Sequence, residues 1–240
     1  MTKIWGHRGA SAYAPENSLP AFELALEQGA DGVECDVQLT RDDQVVVIHD
    51  ETLERTTDGH GWVADHTAAQ LRRLDASGGR DGFAGTKVPL LAEVLALIAD
   101  SGKDINIELK NNRMAYKGLE ERVQELVDAA GVASQVVLSS FNHYSLKRLQ
   151  GLSRLPLGAL YTDPLFKPWK YVEKLKVGAI HPPMRWTTRK VVEKSHEHGL
   201  KVHAWTVNDA KDVGKLLRRG ADAVITDRPD VAREVRDAEG

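Results

Sequence analysis

Residues 32–50 read Gly-Val-Glu-Cys-Asp-Val-Gln-Leu-Thr-Arg-Asp-Asp-Gln-Val-Val-Val-Ile-His-Asp. The first part is a β-branched run, 32–38, with acids at Glu34 and Asp36. Side chains alternate along a strand, so these acids share one face and Cys35 takes the other. Their neighbours Val33, Val37 and Leu39 have the character of buried residues. Arg41-Asp42-Asp43-Gln44 reads as a tight turn into an extra strand over 45–50. If the hairpin centres on Asp42-Asp43, opposed residue numbers sum to about 85. Asp36 then faces His49, within one residue.

Beyond this stretch, strands and helices alternate from end to end. Strands are predicted at 3–7, 32–38, 105–110, 135–141, 157–161, 179–181, 201–207 and 223–226. Amphipathic helical stretches fall at 19–28, 91–99, 119–130, 145–152, 170–175, 189–198, 210–219 and 230–238. Eight strand-helix units in 240 residues predict an α/β fold, a TIM (β/α)8 barrel, whose usual length is roughly 250 residues. An open doubly wound sheet is the weaker alternative, since it usually has fewer strands. Asn17 or Ser18 is placed to cap the first helix, and Asn208 or Asp209 the seventh. Gly29, Gly131, Gly199 and Gly220 follow helical runs, where a left-handed cap favours glycine. Residues 42–85 break the alternation and read as an insertion over one barrel face. With no Pro- or Ser-rich linker, 1–240 is expected to form a single TIM-barrel domain.

Composition narrows the function. The chain is 42% hydrophobic and 28% charged, with a formal net charge of −3. That near-balance argues against a protein whose main work is electrostatic binding to nucleic acid or anionic membrane, though not against a local basic pocket. One cysteine, Cys35, excludes an intrachain disulfide and suits a reducing compartment. No run approaches the roughly 18 apolar residues of a membrane helix, and the start enters a strand without an apolar signal core. The expectation is a soluble cytoplasmic protein without stable membrane insertion and without a nucleic-acid partner.

In such a barrel, reactive groups stand at the carboxyl ends of the strands. The first strand ends in His7-Arg8. The second carries Glu34 and Asp36, and the third Glu108 and Lys110 on one face. The seventh offers Trp205. Three carboxylates in one small space repel unless a cation sits among them. Oxygen ligands of this kind favour a hard divalent ion, Mg²⁺ or Ca²⁺, over zinc. The hairpin returns His49 to the same carboxylates. Two imidazoles, a metal and an Arg/Lys pair suit phosphodiester cleavage, with cations holding negative charge and histidines moving protons. Trp205 would wall off an alcohol moiety, and Phe141 lines either the pocket or the core. Glu16 and Asn17 read as a pocket-edge support and a helix cap, and Thr226-Asp227 before Pro229 mainly as a cap for the last helix. His181 ends the sixth strand beside Pro182-Pro183, and its role stays open.

The motifs His7-Arg8-Gly9, Pro15-Glu16-Asn17-Ser18, Glu34-x-Asp36, His49-Asp50, Glu108-x-Lys110, Ser140-Phe141, Trp205-Thr206-Val207-Asn208 and Thr226-Asp227-x-Pro229 occur in order. In these the chain resembles the glycerophosphodiester phosphodiesterases over nearly its full length, and the expected lack of a signal peptide makes it look like their cytosolic bacterial branch. The resemblance implies a TIM barrel with a small insertion over 51–89. It implies one divalent cation on Glu34, Asp36 and Glu108. It implies His7 as general base, His49 as general acid, and Arg8 and Lys110 on the phosphate. The implied reaction hydrolyses a glycerophosphodiester to an alcohol and sn-glycerol 3-phosphate. The implied partner is that small molecule, with room left for a homodimer. A lysophospholipase D-like enzyme, a non-catalytic metal- or phosphate-binding barrel and a metal-dependent sugar isomerase are the alternatives. The intact set of histidines, carboxylates and cations speaks against the last two.

Overall fold

The structure, a computed structural model, describes residues 1–239. Its parallel strands are β1 (Lys3–His7), β2 (Gly32–Leu39), β4 (Asp104–Leu109), β5 (Val136–Ser140), β6 (Leu157–Leu160), β7 (Ala179–His181), β8 (Lys201–Ala204) and β9 (Ala223–Thr226). Each pairs with the next in parallel register, and β9 returns to pair with β1, closing an eight-stranded TIM barrel. A short strand, β3 (Val45–Val47), runs antiparallel to the far end of β2. The helices between strands are α1 (Leu19–Glu27), α3 (Leu91–Ser101), α4 (Leu119–Ala130), α5 (His143–Leu152), α6 (Pro168–Leu175), α7 (Arg189–Glu197) and α8 (Ala210–Arg219). Helix α9 (Pro229–Glu239) follows the last strand, and α2 (Ala68–Leu71) lies in the segment after β3.

β2 is buried along its entire length, because both faces of a barrel strand are covered. Its outward residues Val33, Cys35 and Val37 join Phe22, Leu95 and Ile107 in the main apolar cluster. The segment after β3 builds a separate small core from Val46, Ile48, Leu53, Val63, Leu71 and Val88. A two-stranded hairpin alone is marginal, and this cluster gives the extra strand something to pack on. No described helix is long and apolar enough to cross a membrane.

Several boundaries move from their expected places for identifiable reasons. The extra strand was expected over 45–50, but its ladder stops at Val47. After Ile48 N–H donates to the Asp36 carbonyl, the Gln38 side chain takes over. Its amide donates to the carbonyls of Ile48, His49 and Asp50 at 3.1, 3.1 and 2.6 Å. β8 ends at Ala204 rather than at 207; past it only a lone parallel bridge remains, in which Trp205 N–H donates to the Pro182 carbonyl and Met184 N–H to the Trp205 carbonyl. Ser18, not Asn17, caps α1 by accepting from Ala21 N–H. Asp209 caps α8.

Candidate active site

Strand register assembles the site. β1 and β2 pair His7 with Glu34, and β2 and β4 pair Asp36 with Glu108. Alternation turns all four side chains toward the barrel axis at the carboxyl ends of their strands. The chain then leaves β1 through Arg8 and Gly9, both at positive φ, 56° and 83°. A β-carbon on Gly9 would lie 2.4 Å from the Ala21 backbone, so α1 approaches as only glycine permits. Arg8, held in the left-handed region, aims its backbone N–H at Glu34 Oε2, 3.0 Å away.

The three acids lie close and deep. Glu34, Asp36 and Glu108 are 3%, 1% and 8% exposed, and one ligand oxygen from each lies within 4.8 Å of the others. Burial and mutual repulsion push Glu34 well above the usual carboxylate range. Burial also lifts Glu108 to about 7, against the pull of Lys110. Burial works the same way on Asp36, but the charges of Lys110, Arg8 and His49 outweigh it and hold that carboxyl well down. Arg8 Nε stands 3.2 Å from Asp36 Oδ2, and Lys110 Nζ 2.9 Å from Glu108 Oε1 and 3.5 Å from Asp36 Oδ1. Asp36 Oδ1 is buried and accepts no hydrogen bond. A trio of hard oxygen donors with an unsatisfied buried oxygen fits a divalent cation with ligands at about 2.0–2.6 Å.

Both histidines reach this cluster already held by a carboxylate. Asp50 Oδ1 is 2.5 Å from His49 Nδ1, and Asp227 Oδ1 is 2.6 Å from His7 Nδ1. The hairpin register sums to 84, so Ile48 is opposite Asp36 and His49 comes next. Burial lowers the His49 pKa, with the nearby Asp36 opposing and the Lys110 and Arg8 charges adding to the shift. Arg55, from the segment after β3, ties the cluster together. It donates two hydrogen bonds to Glu16, at 2.7 and 2.8 Å, and one to Asp50. Glu16 in turn accepts from Arg8 at 2.9 Å. One guanidinium therefore braces the partners of both Arg8 and His49.

A cavity of about 150 Å³ opens among these groups. Polar His7, Arg8, Glu34, His49 and Glu108 and apolar Phe141, Leu160, Trp205 and Ile225 share its lining. Phe141 and Trp205 meet edge to face at 5.6 Å, so both expected aromatics face the cavity. Asp36 and Lys110 stand behind this lining, 1% and 6% exposed. His181 lies outside it. Fully buried in the barrel, it pairs with His203 Nδ1 at 2.9 Å, and burial pushes its pKa down to about 3. Its carbonyl accepts from the Trp205 indole at 2.7 Å, which sets the orientation of that ring.

Besides Arg55, three residues at the site escaped sequence reasoning. Asp227 does not cap the last helix. It accepts from His7, from Ser11 Oγ at 2.9 Å and from Asn208 Nδ2 at 2.5 Å. Burial opposes its ionisation, but these hydrogen bonds and the His7 charge hold it at about 2. Asn17, at φ 56°, turns inward and donates to Asp36 Oδ2 at 2.9 Å. Gln38 fixes the backbone around His49. For Gln38 a signal existed: it continues the Glu34, Asp36 alternation as a polar residue in an apolar strand. For Asp227 and Asn17 the local pattern pointed to capping.

A closed TIM barrel with acid, base and cation groups at the carboxyl ends of its strands has the layout of a (β/α)8 enzyme, and its relatives make the class a phosphoric diester hydrolase. More particularly, the chain belongs to the glycerophosphoryl diester phosphodiesterase family, whose sequence profile matches residues 7–231. It is 40% identical to a glycerophosphodiester phosphodiesterase of Caldanaerobacter subterraneus subsp. tengcongensis, over 95% of each chain. It is also 40% identical to a glycerophosphodiester phosphodiesterase of Bacillus altitudinis, over 99% of each. Among solved structures, an Oleispira antarctica phosphodiesterase in complex with the product sn-glycerol-3-phosphate superposes with a TM-score of 0.91 at 31% identity, covering 99% of this chain and 97% of that one.

Proposed function

We propose that this chain hydrolyses glycerophosphodiesters to an alcohol and sn-glycerol 3-phosphate, using a divalent cation held by Glu34, Asp36 and Glu108. The carrying observation is that two histidines flank one cavity, each with Nδ1 committed to a carboxylate. Because Asp227 only accepts, His7 donates from Nδ1 and keeps Nε2 bare, which is the form a general base needs. His7 takes the proton of the attacking hydroxyl, which is water, giving the product directly, or the glycerol 2-hydroxyl, giving a cyclic phosphate that water then opens. His49, on the hairpin, gives its proton to the leaving alkoxide as the phosphorus–oxygen bond breaks. To donate, His49 must start as the imidazolium, which the Asp36 charge and the Asp50 hydrogen bond favour and burial opposes. Arg8 offers a fork, and Lys110 a point charge, to the non-bridging oxygens. A bound divalent ion supplies positive charge where the phosphate gains negative charge. Phe141 and Trp205 provide the apolar wall against which the organic part lies. The product complex of the Oleispira antarctica relative supports this reading.

The test is product analysis with glycerophosphocholine, glycerophosphoethanolamine and lysophospholipids, each with Mg²⁺, Ca²⁺ or chelator. Release of sn-glycerol 3-phosphate and free alcohol, lost on chelation, is expected. Phosphocholine as the product, or full activity in excess EDTA, would overturn the proposal.

A further inference from the structure

The loops after β4, β5, β6 and β7 stand side by side at the mouth, because those strands are neighbours in the barrel. Residues 111–118, 141–147, 161–171 and 181–189 hold Arg113, Lys117, Lys147, Lys167, Lys170, Arg185 and Arg189 against a single carboxylate, Asp163. All seven cations are exposed. Arg113 and Arg189 have acid partners, at 3.7 and 3.9 Å. The other five have no carboxylate within 4.0 Å among the described residues. These loops carry a formal +6 in a chain of net −3, which leaves −9 on the rest.

The same loops expose apolar rings. Phe166 is 87% exposed, Tyr144 79% and Tyr171 42%. Lys167 Nζ sits 5.1 Å from the Phe166 ring centre, and the Arg185 guanidinium 5.5 Å from that of Trp186. The loops also hold one another. His143 Nδ1 and the Tyr171 hydroxyl lie 2.6 Å apart, and the Trp186 indole donates to the Thr162 carbonyl at 3.2 Å. Pro164 and Phe166 are exposed at the apolar tip of this loop with Lys167 immediately beside them, while Leu165 packs against the barrel's apolar cluster.

We propose that this aromatic and basic rim docks the barrel mouth on an anionic phospholipid bilayer. Cations meet the lipid phosphates, while Phe166, Tyr144 and Tyr171 enter the headgroup layer, where amphipathic rings and snorkelling lysines are favoured. The apolar tip favours a lipid surface over a nucleic acid, which would reward the cations but leave Phe166 without an apolar medium. Docking so makes glycerophosphodiesters presented at the bilayer surface, lysophospholipids included, the substrates nearest the mouth. That last clause rests on the hydrolase reading above; the docking does not.

The experiment is sedimentation of the full chain with vesicles of phosphatidylcholine alone and of phosphatidylcholine mixed with phosphatidylglycerol, at low and high salt. Binding is expected only with phosphatidylglycerol present and is expected to weaken with salt. Each cation near the surface contributes about 5-fold to partitioning, so Lys167→Glu with Lys170→Glu should cost at least about 25-fold. Phe166→Ser should cost about 10-fold or more from lost burial. Turnover of soluble glycerophosphocholine should stay at the wild-type level in both variants. If the double variant loses turnover through misfolding, Phe166→Ser alone carries the comparison. Equal binding to both vesicle types, binding unaffected by either variant, or tighter binding to single-stranded DNA than to anionic vesicles would overturn the proposal. A wild type that binds anionic vesicles but turns over no glycerophosphodiester would sink the hydrolase reading and leave the docking standing.

Discussion

Asp227→Asn changes one atom, and the structure says why its effect should be large. The Asp227 carboxylate accepts from His7 Nδ1 and Ser11 Oγ on one oxygen and from Asn208 Nδ2 on the other. Asn208 cannot reverse its amide, because its Oδ1 already accepts from Asp227 N–H at 2.9 Å and Thr226 Oγ1 at 3.1 Å. An asparagine at this position therefore turns its oxygen to Asn208 and its NH₂ to His7. Nδ1 must then accept, and the ring proton moves to Nε2, the nitrogen needed as base. Reversing the tautomer removes a general-base role, worth about 10²- to 10⁴-fold, and wrong-tautomer losses lie near the upper end. We expect kcat to fall about 10³-fold or more with KM little changed, measured by release of sn-glycerol 3-phosphate. The loss should be the same on a nitrophenyl ester, because the base serves either leaving group. Asp227→Ala, which leaves the ring free to choose its tautomer, should be the milder variant despite its greater change of shape. Asparagine turning over near the wild-type rate, or more active than alanine, would refute the tautomer argument.

Other outcomes follow from the same geometry. His49→Ala should be about 10²- to 10⁴-fold slower on a glycerophosphodiester but far less impaired on a nitrophenyl ester, which needs little protonation; equal losses on both would show that His49 is not the acid. Arg55→Gln releases Glu16 and Asp50 together, and kcat should drop about 10- to 100-fold with the natural substrate worst affected; unchanged kinetics would show that His49 and Arg8 hold their places without it. With Glu108 at about 7 and Glu34 also raised by burial, a divalent ion must displace protons. Its affinity should therefore fall as pH drops below neutrality, with proton release seen by calorimetry in buffers of different ionisation heat; constant affinity across neutrality would contradict the site. The His181–His203 pair sets the sign of an acid instability. Both folded pKa values lie below the ordinary histidine value because of burial. The unfolded chain thus binds protons the folded one refuses, and stability present above about pH 6.5 is lost below it by about 1.4 kcal/mol per pH unit for each histidine. His203→Gln should flatten the fall of melting temperature between neutrality and about pH 5, and an unchanged slope would exclude the pair as its source.

Much was legible before any coordinates. Strand-helix alternation implied the barrel, because each parallel strand needs a crossover helix and buried faces on both sides. Period two put Glu34 with Asp36 and Glu108 with Lys110. The turn at Asp42-Asp43 returned His49 within one residue of its place. These are local rules, acting over a few residues, and a linear pattern records them. What the sequence could not show was long-range. Asp227 lies 220 residues from His7, and only the closing contact of β9 with β1 makes them a pair. Its local surroundings, two residues before a helix-starting proline, resemble a cap. Asn17 likewise looks like a cap until its positive φ turns it onto Asp36. The basic face of the mouth is invisible in a chain of net −3, since its charges come from four separate stretches. Barrel closure decided these matters, because closing the sheet places strand ends side by side whatever their separation along the chain.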